Sequence, residues 1–411
     1  MNTQNTPIHI KLWHKDFWLM SIAGLMLSLS VYMLLPTLPL WMLDKGRFSP
    51  METGLAMGVF GIGVFSLGCF CSYWVQCFRR NMVCICAVVA LMLIIAGLHY
   101  VNGFCCLVST PPRFTHSGLF ALLLLERFLM GAVFGLAQMV LMSTLVIDTC
   151  ESFQRTEANH CATWFSRFTV SLGPLLGLLL YQLRGLDAVL VSSLVSLLAV
   201  IVFVRWVHFP FRAPDDGMHV LSLDRFLLPQ GFPLSVNLTL MMAVVGLLLT
   251  VSPTPYFFAM LMVGFWMALL AQRFVFREAE LESEVITGIL LLTASILMQL
   301  TSSLPIVSYL SPIFIGIATG LIGSRFLLFF IKLSNHCQRG TAQSTYLLAT
   351  ELGISLGLFL AYSATSYLNA LFSFSLPVKD LSLYLALTLT VLSFVLYHFF
   401  THRWFMSHKN R

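Results

Sequence analysis

Charge is what this sequence has least of. Charged residues fill 10% of 411 positions against 58% hydrophobic ones, and the mean hydropathy is +0.88. A soluble chain carries about 25% charged residues, so there is too little polar surface here to coat one or two water-facing domains. Also missing is Gly-x-x-x-x-Gly-Lys-Ser/Thr, the loop that cradles ATP phosphates, which leaves a gradient as the source of energy. His-Glu-x-x-His and Gly-x-Ser-x-Gly are missing too, and His160 has no Ser or Asp partner nearby in sequence. Embedded hydrolytic chemistry needs a nucleophile with a base, or a metal set, at one depth. No catalytic residue, metal or cofactor is therefore expected. Ten cysteines include the pairs Cys69/Cys71 and Cys84/Cys86. On a helix, residues two apart point about 200° apart, so these pairs read as small apolar filler rather than chelators. Cys105 and Cys106 fall in an expected outside loop. The net charge of +6 reflects where the basic residues sit and points to no nucleic acid.

Long apolar runs are what the chain has instead. A helix needs roughly 20 apolar residues to cross a hydrocarbon core about 30 Å thick. Runs at 17–43, 53–77, 82–102, 118–147, 157–182, 187–208, 234–252, 255–274, 285–304, 307–331, 342–366 and 381–401 meet that need. The first is too long for a signal-peptide core and no small-residue cleavage site follows, so it is expected to be retained as a span. Trp18 and Trp41 bracket it, as interfacial aromatics do. The longest polar interruption, Phe211–Pro233, falls mid-chain and holds Asp215, Asp216, Gly217, Asp224 and Arg225. The expectation is an all-α integral membrane protein of about twelve transmembrane helices in two pseudo-symmetric six-helix bundles, 1–210 and 234–411, joined by a cytoplasmic linker at 211–233. Lys and Arg concentrate on the side of Lys15, Arg79, Arg80, Arg155, Arg212, Arg339 and Arg403, and are sparse on the side of Lys45, Arg47, Arg113, Arg184 and Lys379. By the positive-inside rule both termini are cytoplasmic.

The halves repeat. Arg155-x-x-Ala158 recurs as Arg339-x-x-Ala342, and the same offset pairs Ser171-Leu172-Gly173 with Ser355-Leu356-Gly357 and Arg167 with Glu351. One helix earlier, Gly131-x-x-x-Gly135 matches Gly316-x-x-x-Gly320. Charge inside a span costs roughly 2.5–3.5 kcal/mol on insertion scales. Here it is confined to the fourth, fifth, tenth and eleventh spans, at Glu126, Arg127, Arg167, Arg325 and Glu351. That segregation points to a shared polar cavity between the halves. Arg167 and Glu351 hold equivalent positions with opposite charge, as a structural ion pair or as a gated, proton-linked one. Arg325 lies either in the cavity or at the cytoplasmic surface by snorkelling. The acids from Glu278 to Glu284 read as a solvated surface.

These residues resemble the major facilitator superfamily over nearly the whole chain. Tyr32-x-x-x-Pro36-x-x-Pro39 ends the first helix in that family's manner. Ser72-Tyr-Trp-Val-Gln76-Cys77-Phe-Arg79-Arg80-Asn81 stands where the family has Gly-x-Leu-Ala-Asp-Arg-x-Gly-Arg-Lys, with Arg80 kept and Gln76 in place of the aspartate. Arg127-x-x-x-Gly131 matches the family's Arg-x-x-x-Gly, which implies a part in coupling or binding. Gly173-Pro174-Leu-Leu-Gly177 is similar to the exporter branch's Gly-Pro-x-x-Gly-Gly, with Leu178 replacing the last glycine; it reads as a functional kink or as an ordinary membrane-helix kink. The resemblance implies a cytoplasmic gate of Gln76, Arg80, Asp148 and Arg155, with Asp148 latched to Arg80.

The resulting expectation is a monomeric secondary active transporter in a cell membrane, a bacterial inner membrane. It moves a small organic solute by alternating access, H⁺-coupled and of the efflux or antiport kind. A symporter, a channel and a receptor on the same fold stay open alternatives. Glu351 is the first choice for the proton, and an anionic or zwitterionic solute fits the cavity charge.

Overall fold

The computed structural model describes residues 11–107, 113–209, 219–302, 304–364, 367 and 378–409. Arg212, Asp215, Asp216 and Gly217 of the linker lie outside the described residues, as do the side chains of Cys105, Cys106 and Arg113. Every regular element among the described residues is helical. Among the described residues, eleven helices are long and apolar enough to cross a membrane. They are α1 (Lys15–Asp44), α3 (Arg80–Gly103), α4 (His116–Asp148), α5 (Arg155–Arg184), α6 (Leu186–Trp206), α7 (Pro229–Val251), α8 (Pro255–Phe274), α9 (Leu281–Thr301), α10 (Pro305–Leu333), α11 (Arg339–Ser363) and α12 (Lys379–His408). A bent pair, Pro50–Ser66 with Gly68–Cys77 at 42°, forms α2 and makes twelve. Helical backbone beyond α3 continues to Leu107, so Cys105 and Cys106 extend a helix where a loop is expected from sequence.

Local chemistry explains the ends. Ser49 and Glu52 close a capping box at the start of α2, and Pro50 follows at the first helical position. Thr254 caps α8 ahead of Pro255. Gly185, at φ 74°, turns α5 into α6 without an intervening loop, a backbone angle that L side chains resist. In α1, Pro36 has no N–H for the carbonyl of Tyr32, and the regular helix is interrupted at Met33. One residue on from Pro36, Thr37 Oγ1 donates to the Met33 carbonyl at 2.9 Å.

Within each half the helices pack in the same pairs: first on fifth, second on fourth, third on sixth, and their counterparts six helices later. Glycines set the closest approaches. A Cβ on Gly131 would stand 2.2 Å from the Phe60 carbonyl oxygen of α2, and one on Gly316 2.4 Å from the Leu261 oxygen of α8. The repeated Gly-x-x-x-Gly therefore brings backbones together, as small residues do between membrane helices. The two halves meet along a seam where α2 lies on α11 and α5 on α8.

Candidate functional site

Tyr32, Gln138, Arg167, Ser324, Tyr346 and Glu351 line the middle of that seam, and all are buried. Glu351 projects from α11. Its carboxylate meets two groups of the other half: the Tyr32 hydroxyl lies 3.2 Å from both oxygens, and Gln138 Nε2 donates to Oε1 at 3.3 Å. Tyr32 sits where Pro36 interrupts α1, so the break in the ladder places the hydroxyl. On the other face of that break, Gly173 and Gly177 of α5 pack against Tyr32 and Met33. The helix carrying Pro174 runs unbroken from Arg155 to Arg184, so the interruption falls in α1, opposite the Gly-Pro segment, and not in α5.

Arg167 mirrors this arrangement. It projects from the first half and is held by the second: Nε donates to the Tyr346 hydroxyl at 3.1 Å and Nη1 to Ser324 Oγ at 2.6 Å. Its guanidinium also lies 4.9 Å from the Trp164 ring centroid and 5.6 Å from that of Tyr346. Nη2 is buried with no hydrogen-bond partner. The direct Arg167–Glu351 ion pair expected as one reading of the repeat is not formed. The arginine reaches Tyr346, which lies about one turn and a half, roughly 7.5 Å along α11, before Glu351. Each half's charge is instead solvated by neutral polar groups of the other.

The remaining candidates scatter. Arg127 is buried inside the first half, where Nε donates to the Ala56 carbonyl at 3.4 Å, Nη1 contacts Met130 Sδ at 3.1 Å and the guanidinium covers Phe60 at 4.8 Å. Glu126, its neighbour in sequence, diverges from it and lines a groove between α3 and α4, away from the seam. The expected shared polar cavity is thus corrected: Arg167 and Glu351 meet the seam, Glu126 and Arg127 lie away from it, and Arg325, left open from sequence, has its own partner. Arg325 stays clear of the groups that hold Glu351 and Arg167 and borders a cavity shared with Thr156 and His160 of the first half. It pairs with Glu284 of α9 through two guanidinium nitrogens, Nη2 to Oε1 and Nε to Oε2 at 2.9 Å. Glu284 is buried, so the expected solvated acidic stretch includes one interior member. Glu282 beside it faces His398, at 3.0 Å, and His402. A cavity of about 340 Å³ adjoins this pair, bounded by Thr156, His160, Arg277, Glu284, Ser324 and Arg325. Through Ser324 it touches the group that holds Arg167.

At the end of the seam nearest the linker, Arg80 donates to Asp148 in a mostly buried ion pair. Gln76 turns back to its own helix and donates to Ser72 Oγ at 2.9 Å. Arg155 lines a cavity of about 250 Å³ with Arg80, Asp148 and Arg339. The linker itself closes this end, which the motifs did not foretell. Ser222 N donates to the Cys69 carbonyl of α2 at 3.0 Å. Arg225 N donates to Thr341 of α11 at 2.9 Å, and Arg225 Nη1 to Thr144 of α4 at 3.0 Å. Asp224 accepts from Thr341 at 3.0 Å and from Ser72 at 3.5 Å, so a linker carboxylate faces the stretch where Gln76 replaces the family's acid. Phe226 fills the space left by Gly68, where a Cβ would stand 2.0 Å from the ring. Burial, and then the neighbouring Arg80 cation, hold the Arg225 guanidinium below its ordinary pKa, against Asp224 and Asp148. Ser143 and Thr144 sit on a π-helical turn, Leu141–Leu145, which departs from the regular ladder where α11 and the linker arrive.

Comparison with known proteins places this geometry. Residues 20–221 match the Major Facilitator Superfamily profile, and the chain as a whole shares the fold of solved transporters. A bacterial homologue of the iron transporter ferroportin, outward-facing, aligns at a TM-score of 0.66 and 15% identity, covering 95% of this chain and 99% of that one. A bacterial homologue of the human lysosomal transporter Spinster, inward-facing and unoccupied, gives 0.66 and 14% over 96% and 98%. A D-xylose–proton symporter gives 0.65 and 16% over 93% and 97%. No curated protein matches the chain in sequence. With this match and this fold, the chain is a multi-pass membrane protein of the transporter class, not an enzyme, and its partners are a small-molecule solute and the bilayer.

Proposed function

We propose that this chain is an H⁺-coupled secondary transporter that exchanges a small organic anion or zwitterion for protons by alternating access, with Glu351 as the proton carrier. The observation that carries this reading is the setting of Glu351: a buried carboxylate on the seam, with no cation beside it and two neutral donors from the opposite half. Any rocking of the halves changes those hydrogen bonds, and with them the cost of keeping the charge. Arg167 is the solute-binding group. Its unpartnered Nη2 leaves a donor for a carboxylate, and an arginine fork suits that shape. The cavity at His160, Glu284 and Arg325 is the approach from the cytoplasm. Arg80–Asp148 and the linker clasp form the cytoplasmic gate, with both termini on that side of a bacterial inner membrane. Exchange is favoured over symport because the segment resembling the exporter motif, Gly173-Pro174-x-x-Gly177, packs on the residue that holds Glu351, so a bend in α5 displaces Tyr32. Gln138 acts through its hydrogen bond to Glu351, and Arg127 through the wall that positions the seam.

The test is solute-dependent proton movement in proteoliposomes of the purified protein, over a panel of organic anions and zwitterions. Saturable, opposed fluxes of solute and H⁺ are expected, and Glu351→Gln abolishes the coupling while solute binding stays measurable. Unchanged coupling in that variant removes Glu351 from the role. Parallel fluxes overturn exchange in favour of symport, and non-saturating current overturns the transporter for a channel.

A further inference from the structure

Glu126 has no part in the seam, and its surroundings pose a separate question. It is 9% exposed, and its Oε1 is buried with no hydrogen-bond partner. It opens onto a groove of about 840 Å³ between α3 and α4, walled by Ile94, Gly97, Tyr100, Leu122 and Leu125. Leu122 and Leu125 are half exposed on the outer surface of the bundle, which in a transporter of this fold is the surface that meets acyl chains. Gly97 leaves the acid uncovered: a Cβ there would meet only Glu126 Oε1, at 3.9 Å. The Arg127 guanidinium is turned away, with its contacts going to Ala56, Met130 and Met57, so it leaves the acid oxygen without a hydrogen bond. Along α4, Glu126 lies roughly 9 Å from the helix midpoint, on the side away from the linker. That depth is within a hydrocarbon core about 30 Å thick, below the level of lipid headgroups.

A buried carboxylate without a partner, at the bottom of an apolar groove open to lipid, is complementary to one kind of molecule. We propose that this groove is a binding site for a single-chain lipophilic amine dissolved in the bilayer, its ammonium hydrogen-bonded to Glu126 and its chain lying along Leu122 and Leu125. The groove walls run from Gly118 to Leu129, roughly 16 Å along α4, so an alkyl chain fits lengthwise. The N–H donors of a primary ammonium satisfy the orphan oxygen, and its charge matches that of the acid. The site is lateral to the seam and does not depend on the exchange reading above.

The experiment is equilibrium binding of radiolabelled tetradecylamine to the full chain in nanodiscs, with tetradecanol as competitor. Saturable binding at one site per chain is expected, not displaced by the alcohol. Glu126→Gln weakens it about tenfold or more. Leu122→Trp, which keeps the acid and fills the groove from the lipid side, weakens it as well. In the wild-type protein, dicyclohexylcarbodiimide adds to the Glu126 carboxyl: the acid oxygen bonds the carbodiimide carbon, the proton passes to nitrogen, and an acyl shift leaves a stable N-acylurea. Tetradecylamine slows this adduct on the Glu126 peptide and tetradecanol does not. Equal binding by wild type and Glu126→Gln overturns the proposal, as does equal competition or equal protection by the alcohol. In those outcomes the groove holds only acyl chains.

Discussion

Arg325 and Glu351 sit on neighbouring helices of the same half, both deep in the bundle, yet they are satisfied in opposite ways. Arg325 finds its counter-ion inside its own half, where both Glu284 oxygens meet it. Glu351 has no ionic partner and takes its hydrogen bonds from across the seam, from Tyr32 and Gln138. A pair enclosed within one rigid half keeps its geometry however the halves move. A charge held across the seam by neutral donors is remade each time they move. The difference separates charge that holds a bundle together from charge that is available to change.

That contrast can be broken by substitution, and the largest effect belongs to the enclosed pair. Glu284→Ala or Arg325→Ala leaves one buried charge uncompensated and should cost about 3–5 kcal/mol, read as a lower midpoint of thermal unfolding in detergent. Glu284→Leu with Arg325→Met should recover most of that loss, since removing both partners leaves no charge behind. A double variant as unstable as the singles would show that the pair is not what holds α9 to α10. Arg167→Lys comes next. An ammonium lacks the fork that reaches Tyr346 and Ser324 together, so about 1.5–3 kcal/mol of charged hydrogen bonding is expected to go, together with affinity for anionic solutes. Full solute affinity in that variant would remove Arg167 from binding.

Smaller again is Asp148→Asn. The amide oxygen of the variant still accepts from Arg80, so the loss should be about 1 kcal/mol. Its readout is local: maleimide should label Cys337, exposed beside the same cavity, faster than in the wild type, and an unchanged rate would deny the pair a gating role. The smallest stability change belongs to Glu351→Gln, under about 1 kcal/mol because the amide still accepts from Tyr32. If it destabilises as strongly as Glu284→Ala, the contrast between the two settings fails.

Much of the fold could be read directly, for a reason peculiar to membranes. A span must be apolar along its whole length, so the twelve runs announce themselves, and each lies within or against a helix of the structure. The Gly-x-x-x-Gly repeat was equally readable because close backbone approach admits no other residue. The site was only partly readable. Arg167 and Glu351 stood out as intramembrane charges, whereas Tyr32, Gln138, Ser324 and Tyr346 did not, since neutral polar residues are common in such helices and carry no signal of their own. One cue was present: Gln138 is an amide in the middle of an otherwise apolar run. Glu284 was misread because it ends a row of surface acids, and the phase of α9, starting at Leu281, is what turns it inward.

The amino-acid sequence alone determined that the chain spans a membrane, that it does so in two related halves, and that its interior charge is rationed to a few helices. Hydrophobic free energy scales with local composition, and these properties need no knowledge of neighbours. Only the tertiary structure decided which charge meets which group: Arg325 with Glu284, Glu351 with Tyr32, Asp224 of the linker with Thr341, and Glu126 with its Oε1 left without a hydrogen bond among the described residues. A hydrogen bond or ion pair depends on distances of about 3 Å between residues far apart in the chain, and those distances are set by how the helices pack.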